Sequence, residues 1–215
     1  MAKAAAKPDG RKLRADGNRV RIVDALLALI GEGVVLPSAE AVAGRAGVGL
    51  RTVFRHFKDM ETLYAELSER MRAQIAPLIA EPLSGGTWRQ RLIQMLERRV
   101  AIFERLTPYK IADDAHRAGS ATLQAQHAKM VATQRKTLNA VLPPELRDGA
   151  VAEIIDLAAS FEAWLRLRRD QGLSVKRAAA VVRSIVDGAL AGVQANVNRA
   201  ANHIAPPNNK RHAVA

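Results

Sequence analysis

The chain has no cysteine. Disulfide frameworks and thiolate zinc sites are therefore excluded, and a reducing cytoplasm is the simplest home for it. Aromatic residues are scarce, at 4%. Apolar runs are short. A stretch such as Ala25 to Ile30 falls far below the roughly 20 residues that cross a bilayer, so no membrane partner is expected. The N-terminal lysines are followed by no apolar segment, which argues against a secretory signal. No stretch reads as a strand of any length, and no internal repeat is visible. Also missing are H-E-x-x-H, G-x-S-x-G and a glycine-rich phosphate loop. Scattered carboxylates can always be paired on paper. With these motifs absent, the chain is read as a non-enzyme with no catalytic residues, no metal ligands and no cofactor.

What is abundant is positive charge. Lys and Arg number 33 against 21 Asp and Glu, a net charge of +12 over 215 residues. Such a balance favours nucleic acid, through phosphate neutralisation and counterion release, or an anionic membrane surface. Position helps to decide. Lys3, Lys7, Arg11, Lys12, Arg14, Arg19 and Arg21 are opposed only by Asp9 and Asp16, in a segment that also holds Pro8, Gly10 and Gly17. Residues 1–17 are expected to form a disordered basic arm. Such an arm either follows DNA backbone and minor groove or acts as a solubilising tail. The whole chain is 48% apolar and 25% charged, a globular balance with length enough for a core.

One block, Ser38 to Leu63, carries the most information. Ser38 is a good N-cap, and Glu40 sits in the first turn, where the helix dipole favours negative charge. Ala39, Val42, Ala43 and Ala46 fall at i, i+3, i+4 and i+7, a stripe of small groups that lets a second helix come close. Gly47 can end that helix in left-handed geometry. A second helix follows, with Leu50, Val53 and Phe57 predicted inward and Arg51 and Arg55 outward. This is a helix-turn-helix plan. Arginine can read guanine with both arms of its fork, so Leu50, Arg51 and Arg55 are the candidate base contacts. Ser38, Thr52, Phe54, His56 and Lys58 are the candidate phosphate contacts. An ordinary amphipathic helix with a solvated basic face is the plainer alternative for the arginine pair taken alone.

Residues 19–63 resemble the DNA-binding domain of TetR-family transcriptional regulators. The likeness lies in R-V-R-I-V-D-A-L-L-A-L-I-G-E-G-V (19–34), V-A-G-R-A-G-V-G-L-R-T-V-F-R-H-F (42–57) and K-D-M-E-T-L-Y (58–64). It departs from the family at Gly49, where serine is common, at Phe54, where tyrosine is usual, and at Met60, where lysine is usual. These changes remove phosphate-holding groups and keep the fold. The resemblance implies an all-α chain: an N-terminal helix-turn-helix domain at 18–64, a helical effector-binding and dimerisation domain at 65–198, and a disordered tail at 199–215. It also implies a cytoplasmic homodimeric regulator of double-stranded operator DNA. Repression relieved by a small-molecule effector of unknown identity is the mode it suggests.

Along the chain, the first helix is expected from about Asn18 to Gly31. The fourth is expected from Asp59 toward Pro77, and the fifth from Thr87, where T-x-x-Q forms a capping box. Thr107-Pro108 reads as a fresh N-cap and first turn. A further helix is expected over 120–141, broken by Pro143-Pro144. A long one follows to about Gln171, and the last runs from Ser174 to about Asn198. The segment F-E-A-W-L-R-L-R-R-D-Q-G-L-S (161–174) also resembles the C-terminal region of some family members. In that family the last two helices pair with their copies. The resemblance then puts Ala158, Phe161, Leu165, Val182, Ile185, Gly188, Ala189, Gly192 and Val193 at a dimer interface. Core packing within the chain is the alternative for the same residues. Two recognition helices on a two-fold axis would read half-sites about a helical turn or more apart.

The resemblance also implies an effector pocket in the C-terminal helices. The clustered aromatic and soft side chains are Trp88, Met95, Phe103, Tyr109, Met130, Phe161 and Trp164, with His116 and His127 as polar candidates and Gln134 and Asp113 nearby in sequence. Each is equally readable as core. Two rival classes stay open at this level: an enzyme, and a non-specific architectural DNA binder held by charge alone.

Overall fold

The computed structural model describes the backbone of residues 10–204 and the side-chain surroundings of residues 16–192. Every regular element among them is helical. In order these are α1 (Gly10–Gly31), α2 (Ala39–Ala46), α3 (Leu50–His56), α4 (Met60–Ala80), α5 (Trp88–Arg117) and α6 (Ala121–Val141). A short 3₁₀ turn (Pro144–Leu146), α7 (Ala150–Ala158), α8 (Phe161–Leu165), a π turn (Arg166–Asp170) and α9 (Val175–Ile204) complete the chain. The all-α expectation holds.

Two compact units share these elements. The first comprises the chain up to Ser84 together with Arg98–Thr133, and the second comprises Gly85–Glu97 and the chain from Gln134 onward. The expected boundary after residue 64 falls inside the first of these units. The core of the first unit joins Ile22, Leu26 and Ile30 of α1 to Val42, Ala43 and Ala46 of α2 and to Val53 and Phe57 at α3. Leu63, Tyr64, Leu67 and Met71 of α4 close it, with Ala112 of α5 and Leu123 of α6. Each large apolar side chain so buried contributes about 1.5–3 kcal/mol. Within the second unit, α7 packs on α9. Ala152, Ile155 and Ala158 are buried on α7, and Ala178, Val182, Val186 and Leu190 on α9. Phe161 and Trp164 of α8 are also buried.

Several element boundaries differ from those expected. Helix α1 starts at Gly10, so residues 10–17 are helical, not part of an irregular arm. That stretch is rich in arginine, lysine, leucine and alanine, all good helix formers, and a run of charge does not oppose a helix. Likewise α9 continues through residues 199–204 of the expected tail. The rest of the arm (1–9) and of the tail (205–215) lies outside the described residues. Helix α5 does not restart at Thr107-Pro108; it runs through. Proline removes one helical N–H, and beside it the Thr107 hydroxyl donates to the Phe103 carbonyl at 2.7 Å, a side-chain bond back along the helix. The long helix expected before Gln171 is two helices. Gly149, at φ 154°, turns the chain into α7 in a region open mainly to glycine. Ser160 then caps α8 by accepting from the Ala163 N–H at 3.1 Å.

Candidate nucleic-acid interface and adjoining cavity

The helix-turn-helix is built by local chemistry. Ser38 Oγ accepts from the Ala41 N–H at 3.2 Å and so caps α2. Gly47, at φ 64°, closes α2 from the left-handed region. Its N–H reaches the Gly44 carbonyl at 3.2 Å, and the next N–H, of Val48, reaches Ala43 at 3.1 Å, a glycine C-cap. Arg45 of α2 grips Glu32 with both arms, Nη1–Oε1 at 2.7 Å and Nη2–Oε2 at 2.5 Å. The guanidinium holds the Glu32 carboxyl below the usual carboxylate range. This pair fixes the end of α1 against α2.

Helix α3 then stands with Val53 and Phe57 buried beneath it. Arg51, Phe54 and Arg55 are exposed. Leu50 was predicted inward yet, as the first residue of the helix, is exposed too, at 38%. Gly49 caps α3 by backbone only. The next cap is stronger: Asp59 Oδ1 accepts from the Thr62 N–H at 2.8 Å and from its hydroxyl at 2.7 Å. Those bonds hold the Asp59 carboxyl below its usual range.

The remaining phosphate candidates are not equivalent. Lys58 and Ser38 are exposed and Thr52 is half-buried. Phe54 offers the surface a ring and no hydroxyl. His56 is half-buried, and its Nε2 is enclosed without a hydrogen-bond partner. Burial, with the Arg55 and Arg19 charges, pushes the imidazole below its usual range. That shift favours the neutral imidazole over a cationic contact. Chemically, the surface is two forked cations at i and i+4 on a short helix, flanked by the exposed Lys58 ammonium and by hydroxyls. That set can contact base edges and phosphate oxygens.

A cavity of about 90 Å³ lies in the same unit, between α4, α5 and α6. Leu67, Ser68, Met71, Arg72 and Ile75 of α4 form one wall. Leu106, Tyr109, Lys110 and Asp113 of α5, with Gln126, His127 and Met130 of α6, form the others. Of the predicted pocket residues, Tyr109, His127 and Met130 meet here. The rest do not. Met95, Phe103, Phe161 and Trp164 are buried in packing, as aromatic and thioether groups at helical spacing usually are. Trp88 carries the Arg89 guanidinium 4.6 Å over its ring. His116 packs on Tyr64 with centroids 3.9 Å apart. The α4 wall was missed because Leu67, Met71 and Ile75, at i, i+4 and i+8, look like any core stripe.

The predicted dimer residues also divide. Ala158, Phe161 and Val182 are buried within their own chain, as the core-packing alternative has them. Leu165 and Ala189 are half-buried. Ile185, Gly188 and Gly192 are exposed on α9. Ile154 and Leu157, exposed at 41% and 71% on α7, were not predicted. Val193 lies outside the residues whose side chains are described.

No protein-family profile and no curated relative matches this chain. Solved structures do resemble it. A transcriptional regulator from Rhodococcus sp. Rha1 superposes with a TM-score of 0.63 at 19% identity, covering 83% of this chain and 96% of that one. A candidate transcriptional regulator from Streptomyces coelicolor A3(2) gives 0.53 at 20% identity, covering 79% and 98%. These likenesses span nearly the whole of both neighbours and establish a shared all-helical fold. Among the described residues no helix is long and apolar enough to cross a membrane.

Proposed function

We propose that the chain is a sequence-specific, DNA-binding transcriptional regulator of the TetR type. It acts as a homodimer in the cytoplasm, with no catalytic activity, and a small-molecule effector releases it from its operator. The observation that carries this reading is α3: Arg51 and Arg55 stand exposed on a helix whose opposite side, Val53 with Phe57 just beyond its end, is locked into the core. The glycine-turned α2–α3 pair and the net charge of +12 agree with it, and so do the regulators that share the fold.

In this reading α3 enters the major groove. Arg51 and Arg55 contact base edges, with Leu50 as an apolar neighbour. Ser38, Thr52 and Lys58 hold backbone. One helix of this length covers only a few base pairs, so a two-fold pair is required. The exposed α7 and α9 side chains Ile154, Leu157 and Ile185, with Gly188 and Gly192 allowing close approach, supply a surface for the second copy. The effector acts through α4, which begins beside α3 and lines the cavity with Leu67, Met71 and Ile75. A ligand that prefers one α4 position over another shifts the population away from the DNA-competent state by its differential affinity.

The test is selection of bound sequences from a random duplex pool. The proposal expects an inverted repeat with half-sites about one helical turn or more apart. Enrichment of no motif, with a steep salt dependence, would establish an architectural binder instead.

A further inference from the structure

We propose that the α4–α5–α6 cavity is selective for a small organic cation, an ammonium whose nitrogen pairs with Asp113 and whose carbon skeleton lies on Leu67, Met71 and Met130. The inference rests on the reading of this cavity as the effector site, and it names the chemical class that site accepts.

Charge compensation carries the argument. The wall contains two cations, Lys110 and Arg72, and one carboxylate, Asp113. Both cations already meet carboxylates that do not line the cavity. Lys110 Nζ pairs with Asp114, which Arg117 Nε also meets at 3.1 Å. Arg72 meets Glu69, with Nε 3.2 Å from Oε2 and Nη2 near Oε1, and Nη2 itself is enclosed without a hydrogen bond. Asp113 is different. Its partner is a neutral group, the Ser68 hydroxyl, which donates to Oδ1 at 2.8 Å. Among the described residues no lysine or arginine lies within ion-pair distance of it. A ligand that fills the cavity removes water from that carboxylate. Desolvating a charge costs heavily unless the ligand brings an opposite one. A cation meets that demand. An anion adds a like charge beside Asp113.

Shape and softness agree. The volume of about 90 Å³ is below the roughly 150 Å³ of an apolar cavity that takes benzene, so the skeleton is a few carbons long. Met71 and Met130 are adaptable thioethers suited to alkyl groups, and Tyr109 adds an aromatic side chain to the lining.

The test uses the full-length protein and three probes of one size: n-butylamine, 1-butanol and butyrate. Binding is followed by ligand-observed NMR and by thermal shift at matched ionic strength. Butylamine is expected to bind about tenfold more tightly than butanol, the size of one charge-assisted hydrogen bond, with butyrate weakest. Asp113→Asn should bring the amine and the alcohol level, and Asp113→Glu should restore the order. The glutamate variant keeps the result readable if the asparagine variant folds poorly. Equal binding of all three, a preference for butyrate, an unchanged order in Asp113→Asn, or no binding at all would overturn the proposal. Operator affinity measured beside this separates the two readings. Asp113-dependent amine binding that leaves DNA affinity unchanged would uphold the cation site and sink its effector role. Release of DNA by butyrate would do the reverse.

Discussion

Arg19 on α1 and Glu66 on α4 form an ion pair, Nη2 to Oε2, at 2.7 Å. The same guanidinium donates through Nη1 to the His56 carbonyl at 3.1 Å and lies 4.5 Å from the centre of the Phe57 ring. One side chain thus joins α1, the end of α3 and the start of α4. The His56 carbonyl sits at the negative end of the α3 dipole, where a cation is favourable. Arg19 had been grouped with the basic arm by its charge; its contacts make it a positioning residue for the recognition helix.

Arg19→Ala removes a half-exposed ion pair, worth about 0.2–1 kcal/mol, and a surface cation–π contact worth about 0.5–1 kcal/mol. The expected loss is about 1 kcal/mol of stability, or roughly 2–4 °C in Tm for a chain of this size. DNA binding should weaken on all sequences alike, without a change in the preferred base. Arg19→Lys should recover only part, since an ammonium lacks the planar fork. Thermal melts and competition binding check both. A shifted base preference would show that Arg19 contacts DNA directly.

Much of α2 and α3 was legible in the sequence because its signals are local. A serine cap, a run of small residues and a glycine at a left-handed position act within a few residues of themselves. The proline in α5 was misread for the complementary reason. Thr107-Pro108 has the chemistry of a helix start, but the helix runs unbroken through it, with the Thr107 hydroxyl turned back to the Phe103 carbonyl. The cavity was half legible. Tyr109, His127 and Met130 stood out by residue type, but nothing in an apolar stripe on α4 distinguishes a cavity wall from a core face. The roles of Arg72, Lys110 and Asp113 depend on which carboxylate each cation meets, and sequence spacing alone leaves that open. At the dimer face, periodicity found the helix but not its phase. Val182 turned to α7, while Ile185 stayed outside.

Leu157→Glu tests that outer face. Leu157 is 71% exposed, so the change should leave the fold within about 0.5 kcal/mol. A charge placed in an apolar contact between copies should nonetheless drive the protein to monomer. Sedimentation velocity reads this directly. An unchanged dimer would place the interface elsewhere.

Acid should destabilise the protein through His116. Burial pushes this imidazole below its usual range, and the Asp113 charge only partly opposes that. Its stacking partner Tyr64 is buried as well, and its hydroxyl is pushed up to about 12 by burial and by the same carboxylate. The unfolded chain binds a proton at His116 near pH 6.5, and the folded chain only at lower pH. Between those values the unfolded state holds more protons, so stability rises with pH. The contribution is complete above about pH 6.5 and is lost as pH falls toward the folded value. His56 has the same sign. His116→Gln should therefore flatten, without abolishing, the fall of Tm between neutral and mildly acid buffer. An identical slope in the variant would assign the acid sensitivity to other groups.

The central claim is that α3 reads bases through Arg51 and Arg55. The most direct measurement compares Arg51→Ala and Arg55→Ala on the selected site and on random duplex at one salt concentration. Each variant should lose about 1–3 kcal/mol on the selected site, with relaxed preference at one base position, and lose much less on random DNA. Equal losses on both would mean that the two arginines hold phosphate only, and sequence reading by this helix would be contradicted.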